Sequence, residues 1–85
     1  MKVKVLFFAS LREQLGHAGE EIELPDGVAT VGGLRAHLMA RGDAWSAALG
    51  DGRRLRAAVN QDMASPEAML RAGDEVAFFP PVTGG

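Results

Sequence analysis

The N-terminal segment alternates between polar and apolar residues, which is the pattern of a β-strand with one solvated face. Residues 2–8 read KVKVLFF, and Lys2 and Lys4 mark the solvated face. The residues on the other face, predicted to point into the core, are Val3, Val5 and Phe7. The same parity places Leu6 and Phe8 on the outer face, which is an unusual position for a phenylalanine.

Two later segments have the apolar spacing of helices. Thr30 is a predicted N-cap for a helix that runs to about Arg41, and Gly42 is predicted to end it. The apolar residues that form its core-facing stripe are Val31, Leu34 and Leu38. Asp43 is predicted to cap a second, shorter helix that carries Trp45. Gly32 and Gly33 lie in the first turn of the longer helix. Each is expected to weaken this helix by about 1 kcal/mol relative to alanine, and close packing of the helix on the sheet would be a reason for them.

A first helix is predicted after the N-terminal strand, because Ser10 and Glu13 have the spacing of a capping box and Gly16 is a stop signal. Asp74 is predicted to serve a turn before the last strand. The remaining predicted strands cover residues 20–24, 54–60, 63–64 and 75–79. This order of elements predicts an α+β roll, in which a helix lies across one face of a mixed sheet.

Composition limits the classes of function. With 85 residues and a net charge of −2, the chain is one small domain without the basic footprint of a nucleic-acid-binding protein. Its one basic cluster is Arg53, Arg54 and Arg56, which is expected to be a solvated edge or, less often, a surface that steers an acidic partner. No apolar run is long enough to span a membrane, and no signal peptide is recognised, so we expect a cytoplasmic protein.

Cysteine is absent, which excludes disulfides, thiolate metal sites and a thiol nucleophile on this chain. The two histidines, His17 and His37, are isolated in sequence and are expected to be surface residues rather than metal ligands or catalytic groups. Any sulfur that the protein handles must therefore be held on a group other than cysteine.

The last six residues form a distinctive tail after a predicted domain of residues 1–79. Pro80 and Pro81 cannot donate to a sheet ladder, so they end the last strand and favour an extended path. The residues that follow, Val82, Thr83, Gly84 and Gly85, carry no charge except the terminal carboxylate. A thin tail of this kind, residues 80–85, is suited to entering a narrow channel of another protein, whereas the alternative is a frayed terminus.

Strand parity also predicts an exposed apolar patch near this tail. If Val76 and Phe78 face the core, Phe79 faces outward like Phe8, and Met63 on the short strand is expected to join them. An exposed apolar patch marks a partner-binding surface. The alternative is that the patch is covered by the first loop or by residues 65–70.

Three segments resemble the small, sulfur-carrying subunit of molybdopterin synthase and related ubiquitin-like carriers. They are KVLFFASLRE at 4–13, AAVNQ at 57–61 and GDEVAFFPPVTGG at 73–85. The resemblance implies a β-grasp fold and a non-catalytic sulfur-donor role, with the catalytic residues on a large synthase subunit in a heterotetramer. It implies that an ATP-dependent enzyme adenylates the carboxylate of Gly85 and that sulfide then converts it to a thiocarboxylate.

The resemblance further implies that the tail enters the large subunit and donates sulfur to cyclic pyranopterin monophosphate, which builds the dithiolene that holds molybdenum. No bound cofactor or metal is expected, because the activating enzyme uses the ATP. Two alternatives stay open at this point. One is a carrier of the same mechanism for thiamin or tRNA thiolation, and the other is an interaction module without chemistry at its terminus.

Overall fold

The structure is a computed structural model that describes residues 1–50 and 54–81. Within these residues the chain forms five strands and three helices. In chain order they are β1 (Lys2–Phe7), α1 (Ser10–Leu15), β2 (Gly19–Glu23), α2 (Val31–Met39), α3 (Asp43–Leu49), β3 (Arg56–Val59), β4 (Asp62–Ala64) and β5 (Glu75–Phe79).

The five strands form one mixed sheet in the order β2-β1-β5-β3-β4. The first and last strands are parallel neighbours, with Val5 opposite Val76 and Phe7 opposite Phe78. The other pairings are antiparallel. The mixed sheet of the predicted α+β roll is therefore observed, and the N- and C-terminal strands lie side by side in it.

One face of the sheet carries the core. The alternating residues of β1 and β5 point into it, and Leu34 and Leu38 of α2 pack against them with no exposed surface. The strand residues that line this face are Val3, Val5, Phe7, Val76 and Phe78, each at most 1% exposed. The parity predicted from the two N-terminal lysines is confirmed. The helices cover this face of the sheet and leave the other face open.

The start of α1 differs from the prediction. Ser10 is the first residue of the helix, and Ala9 occupies the N-cap position without a side-chain hydrogen bond. A tight turn explains this: the N–H of Leu11 donates to the carbonyl of Phe8 at 3.2 Å, which leaves Ala9 with φ 54°. The predicted stop at Gly16 is confirmed, since its backbone is left-handed and its N–H donates to Arg12.

The predicted cap of α2 is confirmed, because the Thr30 hydroxyl accepts a hydrogen bond from the N–H of Gly33 at 3.0 Å. The predicted end was too late: α2 stops at Met39. The chain must turn from α2 into α3 within three residues, and Gly42 with φ 148° stands at the N-cap of α3. Asp43 is therefore the first residue of α3, and its predicted capping role is wrong.

Close packing accounts for a glycine at the start of α2, although the neighbour is a loop and not the sheet. The N–H of Gly32 donates to the carbonyl oxygen of Pro66 at 2.8 Å. A Cβ at this position would lie 3.2 Å from the same oxygen. The glycine thus allows the loop of residues 65–70 to lie against the helix, where Leu70 is buried in the core.

Candidate functional site

The root of the tail lies at the carboxyl end of the central strand. Pro80 and Pro81 follow β5 directly and are half-buried. Since β5 is hydrogen-bonded to β1 and β3 on its two sides, the chain leaves the sheet from a firmly held position. The predicted functional residues beyond this point, Val82, Thr83, Gly84 and Gly85, lie outside the described residues.

The open face of the sheet carries a row of apolar residues that crosses four strands. Leu6 of β1 lies opposite Ala77 of β5, Ala77 lies opposite Ala58 of β3, and Ala58 lies opposite Met63 of β4. Met63 is 60% exposed. Small alanines in the middle of the row leave a shallow, flat surface between two larger side chains.

A second row on this face lies nearer to the tail. Phe8 is held beside β5 by a hydrogen bond from its N–H to the carbonyl of Phe78 at 3.2 Å, and it is 47% exposed. Phe79 is half-buried and lies opposite Arg56. We call the combined surface the outer apolar face; it consists of Leu6, Phe8, Ala58, Met63, Ala77 and Phe79. The predicted outward orientation of Phe8 and Met63 is observed, and their role in binding a partner stays a prediction.

Sequence reasoning missed part of this surface. Ala58 is 8% exposed and belongs to the outer row, although strand parity gave no reason to select a small residue there. Leu6 was placed on the outer face by the same parity as Phe8 and could have been included. What joins these residues into one surface is the register between strands, which parity within a single strand does not provide.

The turn after β1 presents Phe8 to solvent. Ala9 has φ 54° and ψ −131°, a conformation that glycine adopts more readily than alanine. The turn is held because Leu11, two residues later, is fully buried. Backbone strain at Ala9, next to the exposed Phe8, fits a surface that is kept in a defined shape.

A second polar cluster lies at the β2 edge of the fold. His17 was predicted to be isolated, but its Nε2 lies 3.1 Å from Oε2 of Glu20, and its ring packs against Phe7 and Trp45. Arg41 donates to Oε1 of Glu20 and lies over the Trp45 ring. The hydrogen bond from Arg41 lowers the pKa of Glu20 below its ordinary value. This cluster connects β2 to the helical layer.

Among the described residues, no group of three or more histidine, cysteine, aspartate or glutamate side chains is placed to hold a metal ion. His37 lies on α2, and the half-buried ring is not part of any such group within the described ranges. None of the described helices has the length and apolar character needed to cross a membrane.

A family model extends over nearly the whole chain, from the middle of β1 to the tail. It is the model of the ThiS family, and it matches residues 5–85. The chain belongs to the ThiS family. The family resemblance predicted from the tail and from the two shorter segments is thereby confirmed.

Known ThiS-like proteins match at full length. The molybdopterin synthase sulfur carrier subunit of Escherichia coli is 52% identical over 85 residues, which covers 98% of this chain and 99% of the relative. The crystal structure of SAMP1 from Haloferax volcanii is 31% identical with a TM-score of 0.81, and the alignment covers 100% of both chains.

A chain in the protein–protein complex of subunits 1 and 2 of the molybdopterin-converting factor from Helicobacter pylori has the same fold. The TM-score is 0.67 at 24% identity, and the alignment covers 100% of both chains. These likenesses agree with the β-grasp fold that the family resemblance implies.

Proposed function

We propose that this chain is a sulfur carrier of molybdenum cofactor biosynthesis that holds sulfur on its own C-terminus. The observation that carries the proposal is full-length similarity, at 52% identity, to a molybdopterin synthase sulfur carrier subunit. Two features of the chain support it. The tail that ends in Gly84-Gly85 leaves the central strand through two prolines, and the chain has no cysteine on which sulfur could be carried.

The proposed chemistry begins with the carboxylate of Gly85. A free carboxylate is a poor acyl donor because oxide is a poor leaving group. In the first step the carboxylate oxygen attacks the α-phosphate of ATP, pyrophosphate leaves, and an acyl adenylate forms. In the second step a sulfide-level sulfur attacks the acyl carbon, AMP leaves with the former carboxylate oxygen, and a thiocarboxylate remains.

The thiocarboxylate is the proposed sulfur donor to cyclic pyranopterin monophosphate. Its sulfur attacks an acceptor carbon and displaces an oxygen group from it, so one C–O bond breaks as the C–S bond forms. Water then cleaves the resulting acyl thioester, which leaves the sulfur on the acceptor and returns the Gly85 carboxylate for another cycle. Two such transfers supply the two sulfurs of a dithiolene. The activating enzyme binds the ATP, and a large synthase subunit provides the catalytic residues, so this chain acts as a co-substrate in the cytoplasm.

The proposed contact with the large subunit has two parts. The tail of residues 80–85 enters a channel of that subunit, and the outer apolar face packs against its surface. The position of Phe8 and Phe79 next to the tail root supports this arrangement, because one partner can cover both. An exposed methionine such as Met63 suits a surface that adapts to more than one partner.

The direct test is the intact mass of the chain after incubation with a candidate activating enzyme, ATP and a sulfur donor. We expect a mass gain that equals the replacement of one oxygen by sulfur. Two controls are matched to it: a chain that lacks Gly85 and a chain extended by one residue after Gly85. Both are expected to gain nothing, because the reacting carboxylate is removed or displaced.

The acceptor decides between this function and carriers for thiamin or tRNA thiolation. The thiocarboxylated chain should convert cyclic pyranopterin monophosphate to its dithiolene product in the presence of a large synthase subunit. A chain that gains sulfur but transfers it only to a thiamin or tRNA pathway would support the alternative carrier. A chain that gains no sulfur with several competent activating enzymes would be an interaction module.

A further inference from the structure

A groove runs along the β3–β4 edge of the sheet and reaches the root of the tail. One part is a cleft of about 270 Å³ between the start of α2 and the strands, with Met63 and Pro66 on its walls. The other is a cleft of about 320 Å³ bounded by Arg54 and Pro81. Three residues line both clefts, namely Arg35, Leu55 and Arg56, so the two lie next to each other. We call this feature the arginine groove.

The groove has a basic character that the described residues leave uncompensated. Arg54 and Arg56 are exposed, and neither forms an ion pair or a side-chain hydrogen bond within the described part of the chain. No described residue that lines either cleft is acidic. The groove therefore presents two solvated cations beside an apolar floor that includes Leu55.

Arg35 fixes the wall of the groove. Its Nε donates to the carbonyl of Leu49 at 2.6 Å, and its Nη2 donates to the carbonyl of Gly50 at 2.7 Å. Leu49 is the last residue of α3 and Gly50 is its C-cap, and the helix dipole favours a positive charge at this end. Arg35 is thereby held in place between α2 and α3.

The carboxylates of β2 are largely paired. Glu20 pairs with Arg41, Glu23 pairs with the N-terminal amine, and Glu21 lies opposite Lys4. The two groove arginines, by contrast, lie beside the tail root as cations without such a partner among the described residues. A partner with an acidic surface is attracted and oriented toward the tail side of the molecule.

We propose that the arginine groove docks an acidic segment of the ATP-dependent enzyme that activates the tail. This inference rests on the proposed function, because only then does such an enzyme act on Gly85. Pro81 lines the groove, so an enzyme that holds the tail at its root also covers the groove. The segment that fits has at least one carboxylate for Arg54 and Arg56 and an apolar side chain against Leu55.

The activating enzyme fits this groove better than the large subunit does. Solvated ion pairs mainly increase the rate of encounter and add little to the lifetime of a complex. Both partners release the carrier in each cycle, but the large subunit already has the outer apolar face as its proposed docking surface, so the groove remains for the activating enzyme. The outer apolar face, by contrast, offers the apolar area that a longer-lived complex requires.

The test is a charge reversal with a matched control. The variant Arg54→Glu/Arg56→Glu changes the groove, and Lys2→Glu/Arg71→Glu makes the same charge change at the end of the sheet remote from the tail. We expect the association rate with the activating enzyme to fall about tenfold at low salt for the groove variant and to change little for the control. The difference should shrink at about 0.5 M salt because screening weakens both attraction and repulsion.

Two further measurements distinguish the activating enzyme from the other segments that could bind in the groove, namely the large subunit and the chain's own tail. For the large subunit the single variant Arg54→Glu is used, because Arg56 lies opposite Phe79 of the outer apolar face. Its association with the large subunit is expected to stay within about twofold of the unmodified chain. In a chain truncated after Pro81, the groove variant should retain its effect, because the proposed occupant belongs to the enzyme. If truncation abolishes the effect, the arginines act on the chain's own tail, and the proposal is overturned.

The association rates can also overturn the proposal in two other ways. Equal association rates for the groove variant and the control, or a loss confined to the large subunit, would overturn the proposal. Thermal unfolding of each variant shows whether the chain is folded, and Arg54→Ala/Arg56→Ala provides a milder change with the same expected direction. If the unmodified chain gains no thiocarboxylate in the mass assay, the proposed function fails, which is distinct from failure of the groove in a working assay.

Discussion

The side-chain amide of Asn60 donates a hydrogen bond to Oδ1 of Asp74 across 3.0 Å and thereby joins the β3–β4 turn to the start of β5. The carbonyl oxygen of the same amide accepts from the N–H of Glu75 at 3.0 Å. Asp74 also accepts from the N–H of Arg71 at 2.8 Å, which confirms its predicted role in a turn. These contacts hold the hairpin that carries Met63 against the strand that leads to the tail.

Removing the Asp74 carboxylate should destabilise the protein near neutral pH. The hydrogen bond from Asn60, followed by that from Arg71, lowers the pKa of Asp74 below its ordinary value of 3.8. We expect Asp74→Ala to reduce the free energy of unfolding by about 1 kcal/mol at pH 7. Urea denaturation measures this loss, and Arg54→Ala serves as an exposed control.

The pH dependence of that loss has a defined sign. Because the pKa is lower in the folded than in the unfolded state, the carboxylate contributes stability above the unfolded value, and this contribution is lost as the pH falls through the folded value. The difference between Asp74→Ala and the unmodified chain should therefore narrow below about pH 4. A gap that stays constant between pH 7 and acid would contradict the assignment.

Glycine at position 61 should stabilise the β3–β4 hairpin. Asn60 and Gln61 form its two-residue turn with φ 50° and φ 73°, and Val59 lies opposite Asp62. Two consecutive positive φ values favour an Asn-Gly pair, so Gln61→Gly should raise the free energy of unfolding by about 0.5–1 kcal/mol. Asn60→Gly should instead lower it, because the hydrogen bond to Asp74 is lost. The unfolding temperatures of the two variants are measured. A shift of both temperatures in the same direction would contradict this account.

A charge at Phe8 should impair binding of the large subunit without unfolding the chain. Phe8→Lys places a cation in the outer apolar face at a side chain that is 47% exposed. We expect a loss of about 2 kcal/mol in binding, or about thirtyfold in Kd, with unchanged circular dichroism.

The matched control for that experiment is Met69→Lys. Met69 is 69% exposed but lies in the loop of residues 65–70, paired with Thr30 beside the helical layer. Met69→Lys should leave the binding of the large subunit unchanged. Titration calorimetry that gives equal losses for the two variants would show that the outer apolar face is not the docking surface.

The substitution Gly19→Ala should push β1 and β2 apart and destabilise the protein. Gly19 lies opposite Leu6, and a Cβ there would overlap the carbonyl oxygen of Val5. Because the obstacle is backbone, β2 must shift, and we expect a loss of about 1–3 kcal/mol in the free energy of unfolding. Glu21→Ala on the same strand is the control, and guanidinium denaturation measures the free energy of unfolding of both variants. An equal loss in the two variants would disprove the steric explanation.

The sequence by itself determined which strand residues face the core. Alternation has a period of two within one strand, so Lys2 and Lys4 were sufficient to orient Phe7 inward and Phe8 outward. The left-handed stop at Gly16 and the Thr30 cap are also local, because each depends on residues within one helical turn. The role of residues 80–85 as an inserting tail rests on the residue types together with the family resemblance, and it stays a prediction because residues 82–85 lie outside the described part of the chain.

Only the tertiary structure decided how these residues combine. The apolar row from Leu6 to Met63 depends on register across four strands, and long-range register is not encoded in the alternation of any one of them. The caps assigned to Ser10 and Asp43 were wrong because the turns before α1 and α3 are set by packing and chain reversal. Glycine is needed at position 32 because the backbone of Pro66, which is 34 residues away in sequence, lies against it. This contact forms only when the chain folds.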